Sequence, residues 1–356
     1  MRVPNVLLVP AVCLLAASSG MAAAMPSIRH GTIHNRSAAT GLEPLIREII
    51  RDQRGPAWIG YAVPLRPGHS ICCSGRGSGC RCPLEREQGI SHQFDEPDSL
   101  DLTVKRHLLV LSRVAKGEVQ RIRCYSDECE LDAGGLPLFW LSDVAPDQSI
   151  AWLASFVTGP SGQSRWNEDI ADRVVSGIAL HDDPGALDML CRLVEPARPD
   201  KLRVRPVFWI GETGGRRGVE LLDRILRDDP SRKVREQAVF ALTLSNTPEA
   251  LETLIRVART DRDPDIRSRA VFWLGNEAGE KAAATIADMA VDDPDTDVKE
   301  RAVFALSQLP PDVGVPRLIH VARTNSNPEV RKQAIFWLTQ SEDPRALDFF
   351  EEILAH

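Results

Sequence analysis

Residues 298–308, VKERAVFALSQ, decide the fold, because close variants of this stretch return along the chain at a fixed interval. The recurrent phenylalanines are Phe208, Phe240, Phe272, Phe304 and Phe336, each 32 residues after the one before. A period of this length is typical of stacked helix–turn–helix units, because one such unit cannot bury its apolar face alone. The repeat therefore predicts a stack of helix pairs over the second half of the chain.

The spacing of apolar residues within one unit predicts two helices. Val298, Ala302, Ala305 and Leu306 lie at i, i+4, i+7 and i+8, which is one face of a helix. A second helix is indicated by TPEALETLIRVAR, residues 247–259, with Thr247 as its cap. Dipeptides that start helices precede the first helix of successive units: Asp229-Pro230, Asp263-Pro264, Asp293-Pro294 and Asn327-Pro328.

The position after the recurrent phenylalanine alternates between a small and a large residue. The series is Gly177, Trp209, Ala241, Trp273, Ala305 and Trp337, which extends the repeat to six units. Because this position faces the core, we expect each tryptophan to fill space that a small residue leaves in a neighbouring unit. Pro206 stands where other units have alanine, and it predicts that this helix starts late or kinks.

Two stretches carry a resemblance to a known family: DPDIRSRAVFWLG at 263–275 and NPEVRKQAIFWLT at 327–339. On these motifs, residues 170–356 resemble HEAT-type repeats in their short form, which is similar to the HEAT-like repeats of phycobilisome lyases. The resemblance implies an α-solenoid of about six 32-residue helix–turn–helix units, in an exported bacterial HEAT-repeat protein. It also implies a role in binding and scaffolding, because repeats of this kind present extended surfaces. It does not imply a bilin.

The first half of the chain has a different pattern. After an amphipathic helix at 42–53, the stretches PAWIGYAVPL and CELDAGGLPLFWL read as strands, and Lys116-Gly117 marks a hairpin turn. The stretch from Leu136 to Phe156 partly repeats the later motif, so we expect it to cap the solenoid. The predicted fold is thus mainly α, with a small β-rich domain before the solenoid. The predicted boundaries are a signal peptide at 1–24, the β-rich domain at 25–143, a linker or capping helix at 144–169, and the solenoid at 170–356.

The first residues are typical of a secretory signal peptide. Arg2 is followed by an apolar run and then by small residues at Ala22–Ala24 that suit cleavage. A membrane anchor is the alternative, but Pro10 and the polar residues after it leave the run shorter than the ~20 residues that a span needs. We expect an exported protein, periplasmic or extracellular, with no membrane span.

Export changes how the cysteines are interpreted, because clustered cysteines pair in an oxidising compartment. We expect disulfides in the loop HSICCSGRGSGCRC and a bridge between the last two of these candidates: Cys72, Cys73, Cys80, Cys82, Cys124 and Cys129. Zinc ligation by the first four, with His69 or His92, is the alternative, although their spacing is poor for zinc. The remaining thiol, Cys191, falls in a buried helix position.

Two sets of repeated polar residues call for an interpretation. The basic residues at 203, 235, 267, 299 and 331 follow each helix start, and we expect them to form a ladder of structural hydrogen bonds between units. The exposed positions of the second helices, which line the concave side in HEAT-type stacks, are the candidate partner-binding residues. These are Arg192, Arg224, Arg256, Arg317 and His320; a merely solvated face is the alternative.

No catalytic motif stands out, and the eight histidines form no cluster in the sequence. The formal net charge of −7 lies entirely after residue 164, which argues against nucleic acid as a partner. We expect a non-enzymatic scaffold or adaptor of the bacterial cell envelope that binds another protein and needs no cofactor. The alternative is a metal-dependent or thiol-based module in the cysteine-rich loop or an interdomain groove. Self-association is also expected, through Phe349 or Phe350 of the C-terminal helix.

Overall fold

The computed structural model describes residues 25–73, 81–86, 90–94, 106–158 and 168–355, which form a sheet-containing part followed by a helical solenoid. Six helix pairs make up the solenoid, and in each pair the first helix has an odd number in our labels and the second an even one. The helices are α3 Glu168–Ala179, α4 Pro184–Leu193, α5 Asp200–Thr213, α6 Gly215–Asp228, α7 Arg232–Thr243, α8 Pro248–Thr260, α9 Pro264–Trp273, α10 Ala283–Asp292, α11 Thr296–Ser307, α12 Pro311–Thr324, α13 Pro328–Thr339 and α14 Pro344–Leu354. The predicted HEAT-like architecture is confirmed.

Two of the four predicted start signals, Asp263-Pro264 and Asn327-Pro328, begin helices, whereas α7 and α11 begin two residues after Pro230 and Pro294. Asp263, Asp295 and Asn327 each accept a hydrogen bond on the side chain from a backbone N–H in the first turn of α9, α11 and α13. Such caps satisfy amides that have no partner within the helix. Pro206 departs from its prediction in one respect: α5 begins at Asp200 and continues through the proline, so the helix does not start late.

The alternation of small and large residues sets how closely successive first helices approach. A Cβ at Gly211 of α5 would overlap the carbonyl group of Ala241 in α7, and one at Gly275 would lie 2.8 Å from the Cβ of Ala305 in α11. Trp273 instead lies with its ring centroid 5.0 Å from that of Phe240 in the preceding unit. Close and wide contacts therefore alternate along the stack, and the true repeat is a pair of units.

Buried arginines connect consecutive units at three of the five predicted positions, 203, 235 and 267. Among the described residues, Arg331 donates only to the carbonyl oxygens of Asn325 and Ser326, and Lys299 forms no such bond. Arg235 donates to the carbonyl oxygen of Asp229 at 3.0 Å, and Arg267 donates to that of Asp261 at 2.9 Å, in each case six residues earlier. Each arginine also reaches forward to a carboxylate: Arg203 to Asp229, Arg235 to Asp263, and Arg267 to Asp293 through two bonds of 2.8 and 2.9 Å. We call these residues the arginine ladder. Its arginines are only 1% (Arg203), 6% (Arg235) and 8% (Arg267) exposed.

The sheet-containing part is built on a five-stranded sheet with the order β2-β10-β3-β7-β8. The strands are β1 Ile28–Arg29, β2 Ile33–Ser37, β3 Ala57–Pro64, β4 His69–Cys73, β5 Arg81–Pro83, β6 Ile90–Phe94, β7 His107–Ala115, β8 Glu118–Ser126, β9 Glu130–Asp132 and β10 Leu138–Ser142; the helices are α1 Leu42–Asp52 and α2 Pro146–Thr158. The predicted hairpin joins β7 and β8, and both turn residues, Lys116 and Gly117, have positive φ.

The sheet-containing part packs against the first unit of the solenoid. Gly177 of α3 occupies the small position of this unit, and a Cβ there would lie 2.9 Å from the sulfur of Cys124 and 3.3 Å from Leu153. In later units, the preceding helix pair covers this side of the first helix. In the first unit, strand β8 and helix α2 cover it instead. Arg66 strengthens the contact, since its Nε donates to the carbonyl oxygen of Ala179 at 3.2 Å.

One predicted disulfide is wrong. Cys124 carries a free thiol and is buried in the contact with α3, so the bridge between Cys124 and Cys129 is not formed. The side chains point to different places: the Cys124 sulfur lies 3.9 Å from the carbonyl oxygen of Arg173, and that of Cys129 lies 3.6 Å from the carbonyl oxygen of Ile71. Cys124 lies within β8, where alternate residues face opposite sides of the sheet. Cys129 lies in the turn that follows this strand.

The close contact at Gly211 can be tested with Gly211→Ala. Alanine favours a helix over glycine by about 1 kcal/mol, but its methyl group would overlap the backbone of Ala241, which cannot rotate away. We therefore expect a net loss of about 1–3 kcal/mol, seen as a lower thermal midpoint. The control is Gly55→Ala, where the nearest atom to the new methyl is Gln53 Nε2 at 4.0 Å. Equal midpoints for Gly211→Ala and the native chain would contradict the proposed packing.

The arginine ladder can be tested with Arg267→Met. The variant leaves the carboxylate of Asp293, which is 5% exposed, without its two-bond partner. We expect a loss of about 3–5 kcal/mol in the free energy of unfolding, measured with urea. The control on the same helix is Arg269→Met, which breaks an exposed ion pair with Glu236 and should cost less than about 1 kcal/mol. Similar losses in the two variants would show that the ladder adds nothing beyond surface charge.

Candidate protein-binding face

The second helices of the units present one row of exposed polar residues at the 32-residue step. The row consists of Arg192, Arg224, Arg256, Asp288, His320 and Glu352 on α4, α6, α8, α10, α12 and α14, and each of these residues is exposed. The row forms because each second helix starts at the same point of the repeat and buries the same face. The residues two positions before the arginines of the row lie in the core: Leu190, Leu222 and Leu254.

The charge along this row changes sign, since the first three members are arginines and two of the last three are carboxylates. Several of these groups are paired between neighbouring helices: Arg256 with Asp223, Arg259 with Asp288 at 2.8 Å, and Arg323 with Glu352. Arg192 and Arg224 make no ion pair with any residue that the structure describes. Their guanidinium groups are therefore available to a partner at the end of the face next to α4.

The other predicted binding residues differ in exposure. His320 lies in the row and is exposed, whereas Arg317 is half-buried and its Nη1 donates to the carbonyl oxygen of Val313 at 2.7 Å. Arg317 is therefore held against its own helix. Beside Arg192 and Arg224, the half-buried side chains of Met189 and Leu221 add apolar surface, so the end of the face near α4 combines apolar contacts with two unpaired cations.

The recurrent phenylalanines lie on the first-helix layer and pack against one another. Phe208 stacks on Phe240 with centroids 6.2 Å apart, and Phe272 stacks on Phe304 at 6.4 Å. The guanidinium of Arg301 lies 5.8 Å from the ring centroid of Phe272 and 5.9 Å from that of Phe304. These rings are half-buried, so they serve packing between units. Phe336 differs, because it is 49% exposed.

The described thiols are poorly suited to nucleophilic chemistry. Burial raises the pKa of Cys124 to about 12, and burial also raises the pKa of Cys191 despite the nearby Arg217 and Arg224. Cys82 is fully buried in β5 and is disulfide-bonded. Cys80 and the side chains of Cys72 and Cys73 lie outside the described residues, so the pairing within the cysteine-rich loop stays a prediction.

A buried polar network that no sequence motif predicted joins the sheet, α2 and the first unit. His181 Nδ1 lies 2.7 Å from the carbonyl oxygen of Gly177, and Nε2 lies 2.8 Å from Ser149 Oγ, which is 3.0 Å from the hydroxyl of Tyr61. Because a carbonyl only accepts, Nδ1 carries the proton. All three side chains are completely buried, so the network positions the two parts of the chain and no substrate could reach it.

A cavity of about 520 Å³ lies in the sheet-containing part, lined by His30, Arg81, Pro83, Glu85, Arg86, Asp132 and Gly134. Its carboxylates already have partners. Burial would raise the pKa of Glu85, but hydrogen bonds from Arg113 outweigh it and hold this pKa below its usual value. The backbone N–H of Gly134, followed by His30, lowers the pKa of Asp132. These residues come from separate segments, so no local motif could have indicated the cavity.

Within the described ranges, no three or more His, Cys, Asp or Glu side chains are grouped so that they could hold a metal ion. Among the same residues, no helix combines the length and the apolar character needed to cross a bilayer.

A family model matches part of the helical region. Residues 218–307 and 284–356 match the family model for HEAT repeats, and the structure of this segment is a solenoid of helix pairs. Residues 218–356 are thus HEAT repeats, as the sequence motifs implied. No match was found among curated protein sequences.

Several solved structures are similar in part. The complex of CpcE and CpcF of phycocyanin lyase from Nostoc sp. PCC7120 has 23% identity and a TM-score of 0.35, and the match covers 45% of this chain and 100% of that chain. Human deoxyhypusine hydroxylase in complex with glycerol has 16% identity and a TM-score of 0.25, covering 57% and 84%. The S. pombe condensin Cnd3–Cnd2 subcomplex has 20% identity and a TM-score of 0.38, covering 54% and 28%. Such likenesses leave activity to be argued from this chain's own residues.

The buried histidine predicts how stability depends on pH. Burial lowers the pKa of His181 from 6.5 to about 4 in the folded chain, so between these values the unfolded chain binds more protons. The contribution of His181 is therefore fully present above pH 6.5 and is lost as pH falls towards 4. We expect about 2 kcal/mol less stability at pH 5 than at pH 7 from this group.

The measurement is the urea midpoint as a function of pH for the native chain and for His181→Gln. The variant should lose part of the acid sensitivity between pH 7 and 5, whatever its absolute stability. His320→Gln is the control for the loss of an imidazole elsewhere, since His320 is exposed on α12. An unchanged slope in His181→Gln would contradict the assignment.

Proposed function

We propose that the protein is a non-enzymatic scaffold that holds another protein against the second-helix face of its HEAT repeats. The observation that carries the proposal is the row of exposed side chains at the 32-residue step, in which Arg192 and Arg224 make no ion pair with the described residues. A rigid row of this kind can bind an extended partner at several points at once. The half-buried Met189 and Leu221 supply apolar contact beside the charges.

The proposed location is the bacterial cell envelope, reached by export. It is supported by the N-terminal sequence, with a basic start, an apolar run and small residues at Ala22–Ala24, and by the cysteine-rich stretch, which would pair in an oxidising compartment. Residues 1–24 lie outside the described part of the chain. Thiol or metal chemistry in the cysteine-rich loop is less well supported, because export favours pairing of its cysteines and their spacing is poor for zinc.

The binding face can be tested with Arg192→Glu/Arg224→Glu in the full-length protein. Partners are isolated by chemical crosslinking in cells, affinity purification and mass spectrometry. We expect the double variant to lose the specific partner at least tenfold, because both substitutions reverse charges that are free to contact it. The control is Lys201→Glu/Lys233→Glu, an equal charge change at exposed positions of the first-helix layer. Equal recovery with both double variants would show that binding uses another surface.

A further inference from the structure

The last helix pair exposes apolar side chains that the stack buries elsewhere. On α13 and α14, the side chains of Phe336, Leu347, Ile353 and Leu354 are 49%, 61%, 45% and 84% exposed. These four are, with Met25, the large apolar residues that the described part of the chain leaves most exposed. We call the surface that they form the terminal face.

Positions equivalent to those of the terminal face are buried in earlier units. The residues 32 positions before Leu347, Ile353 and Leu354 are Val315, Val321 and Ala322, which are 4%, 1% and 8% exposed. The residues 64 positions before them are Ala283, Met289 and Ala290, at 1%, 5% and 0%. Stacking against a further helix pair buries these positions within the solenoid, so the terminal face has the composition of an interface between units.

The aromatic pairing points to a particular occupant. Phe208 stacks on Phe240, and Phe272 stacks on Phe304, so these rings are paired two by two along the chain. Phe336 is the first member of the next pair in this order. A second copy of the chain, related by a two-fold axis, brings another Phe336 to the place where the second ring of the pair would lie.

The charges of the terminal face also suit pairing with itself. One helical face of α13 carries Glu329, Lys332 and Phe336, at i, i+3 and i+7, and Lys332 forms an exposed ion pair with Glu329 at 3.8 Å. The charges beside Phe336 therefore balance, and a two-fold contact does not bring a surface of one sign against itself. A surface of a single sign would repel its own copy.

We propose that two copies of the chain associate end to end through the terminal face. The contact continues the packing between units, with Leu347 and Leu354 buried against the other copy and Phe336 stacked on its counterpart. Each copy contributes two helices of about 17–18 Å in length, so the contact area is small and we expect a weak dimer. The second-helix row stays open in this arrangement, because it lies on a different side of α14.

The terminal face differs from the self-association surface predicted from the sequence. Phe349 is 4% exposed and lies under the guanidinium of Arg323, 5.6 Å from the ring centroid, so it packs within its own chain. Phe350 is half-buried beside it, with centroids 5.3 Å apart. The prediction that Phe349 contacts another copy is therefore wrong, and Leu347 and Leu354 take its place.

The experiment is sedimentation velocity on the full chain from ~1 to ~100 μM, a range that spans the dissociation constants of interfaces of this size. We expect the native protein to approach twice its monomer mass as the concentration rises. Leu347→Gln/Leu354→Gln should raise the dissociation constant at least tenfold without changing the thermal midpoint, because both side chains are exposed in the single copy. The control is Asp348→Asn, an exposed position on the same helix but away from the terminal face.

Two outcomes would overturn the proposal. A native protein that stays monomeric over the whole range would show that the terminal face does not take a second copy. A dimer that persists in Leu347→Gln/Leu354→Gln would place the contact on another surface. Neither outcome bears on the second-helix row, which is tested by its own charge reversal.

Discussion

The buried guanidinium groups of the arginine ladder are the interaction on which the solenoid depends. Removing a guanidinium and a carboxylate from water is costly unless both are satisfied by hydrogen bonds. Arg267 meets this condition with two bonds to Asp293 and one to the carbonyl oxygen of Asp261. Because those partners lie at consecutive junctions between units, each arginine fixes the spacing of its unit to the next. The rigid row of exposed residues on the second helices follows from that constant spacing.

Close packing adds the second constraint, and it explains how the solenoid begins. Gly211 and Gly275 allow two first helices to approach closely, while the tryptophans keep the next contact wider. In the first unit, Gly177 meets Cys124 and Leu153 instead of another repeat. Strand β8 and helix α2 therefore act as the cap that a solenoid needs at its end. The network around His181 then ties this cap to the repeats through hydrogen bonds that no water can replace.

Much of the candidate site could be derived from the period. Once Leu254 is assigned to the core, counting 32 residues from Arg256 finds the exposed row, and the structure places Arg192, Arg224 and His320 there. Arg317 could not be assigned so simply, because its long side chain folds back to its own helix. The disulfide pairing of the cysteines could not be derived from the period, because it depends on which side of a strand each thiol faces. Cys124 faces α3.

The sequence alone determined the repeat, the helix starts, the arginine ladder and the alternation of units, because these depend on residues a fixed number of positions apart. The tertiary structure decided which surfaces remain uncovered. It assigned Cys124 to the contact with α3, joined His181 to Ser149 and Tyr61, and left Leu347 and Leu354 exposed while burying Phe349. The physical reason is that exposure is a property of neighbours brought from distant parts of the chain. A period specifies equivalent positions, but only packing shows which of them still face water.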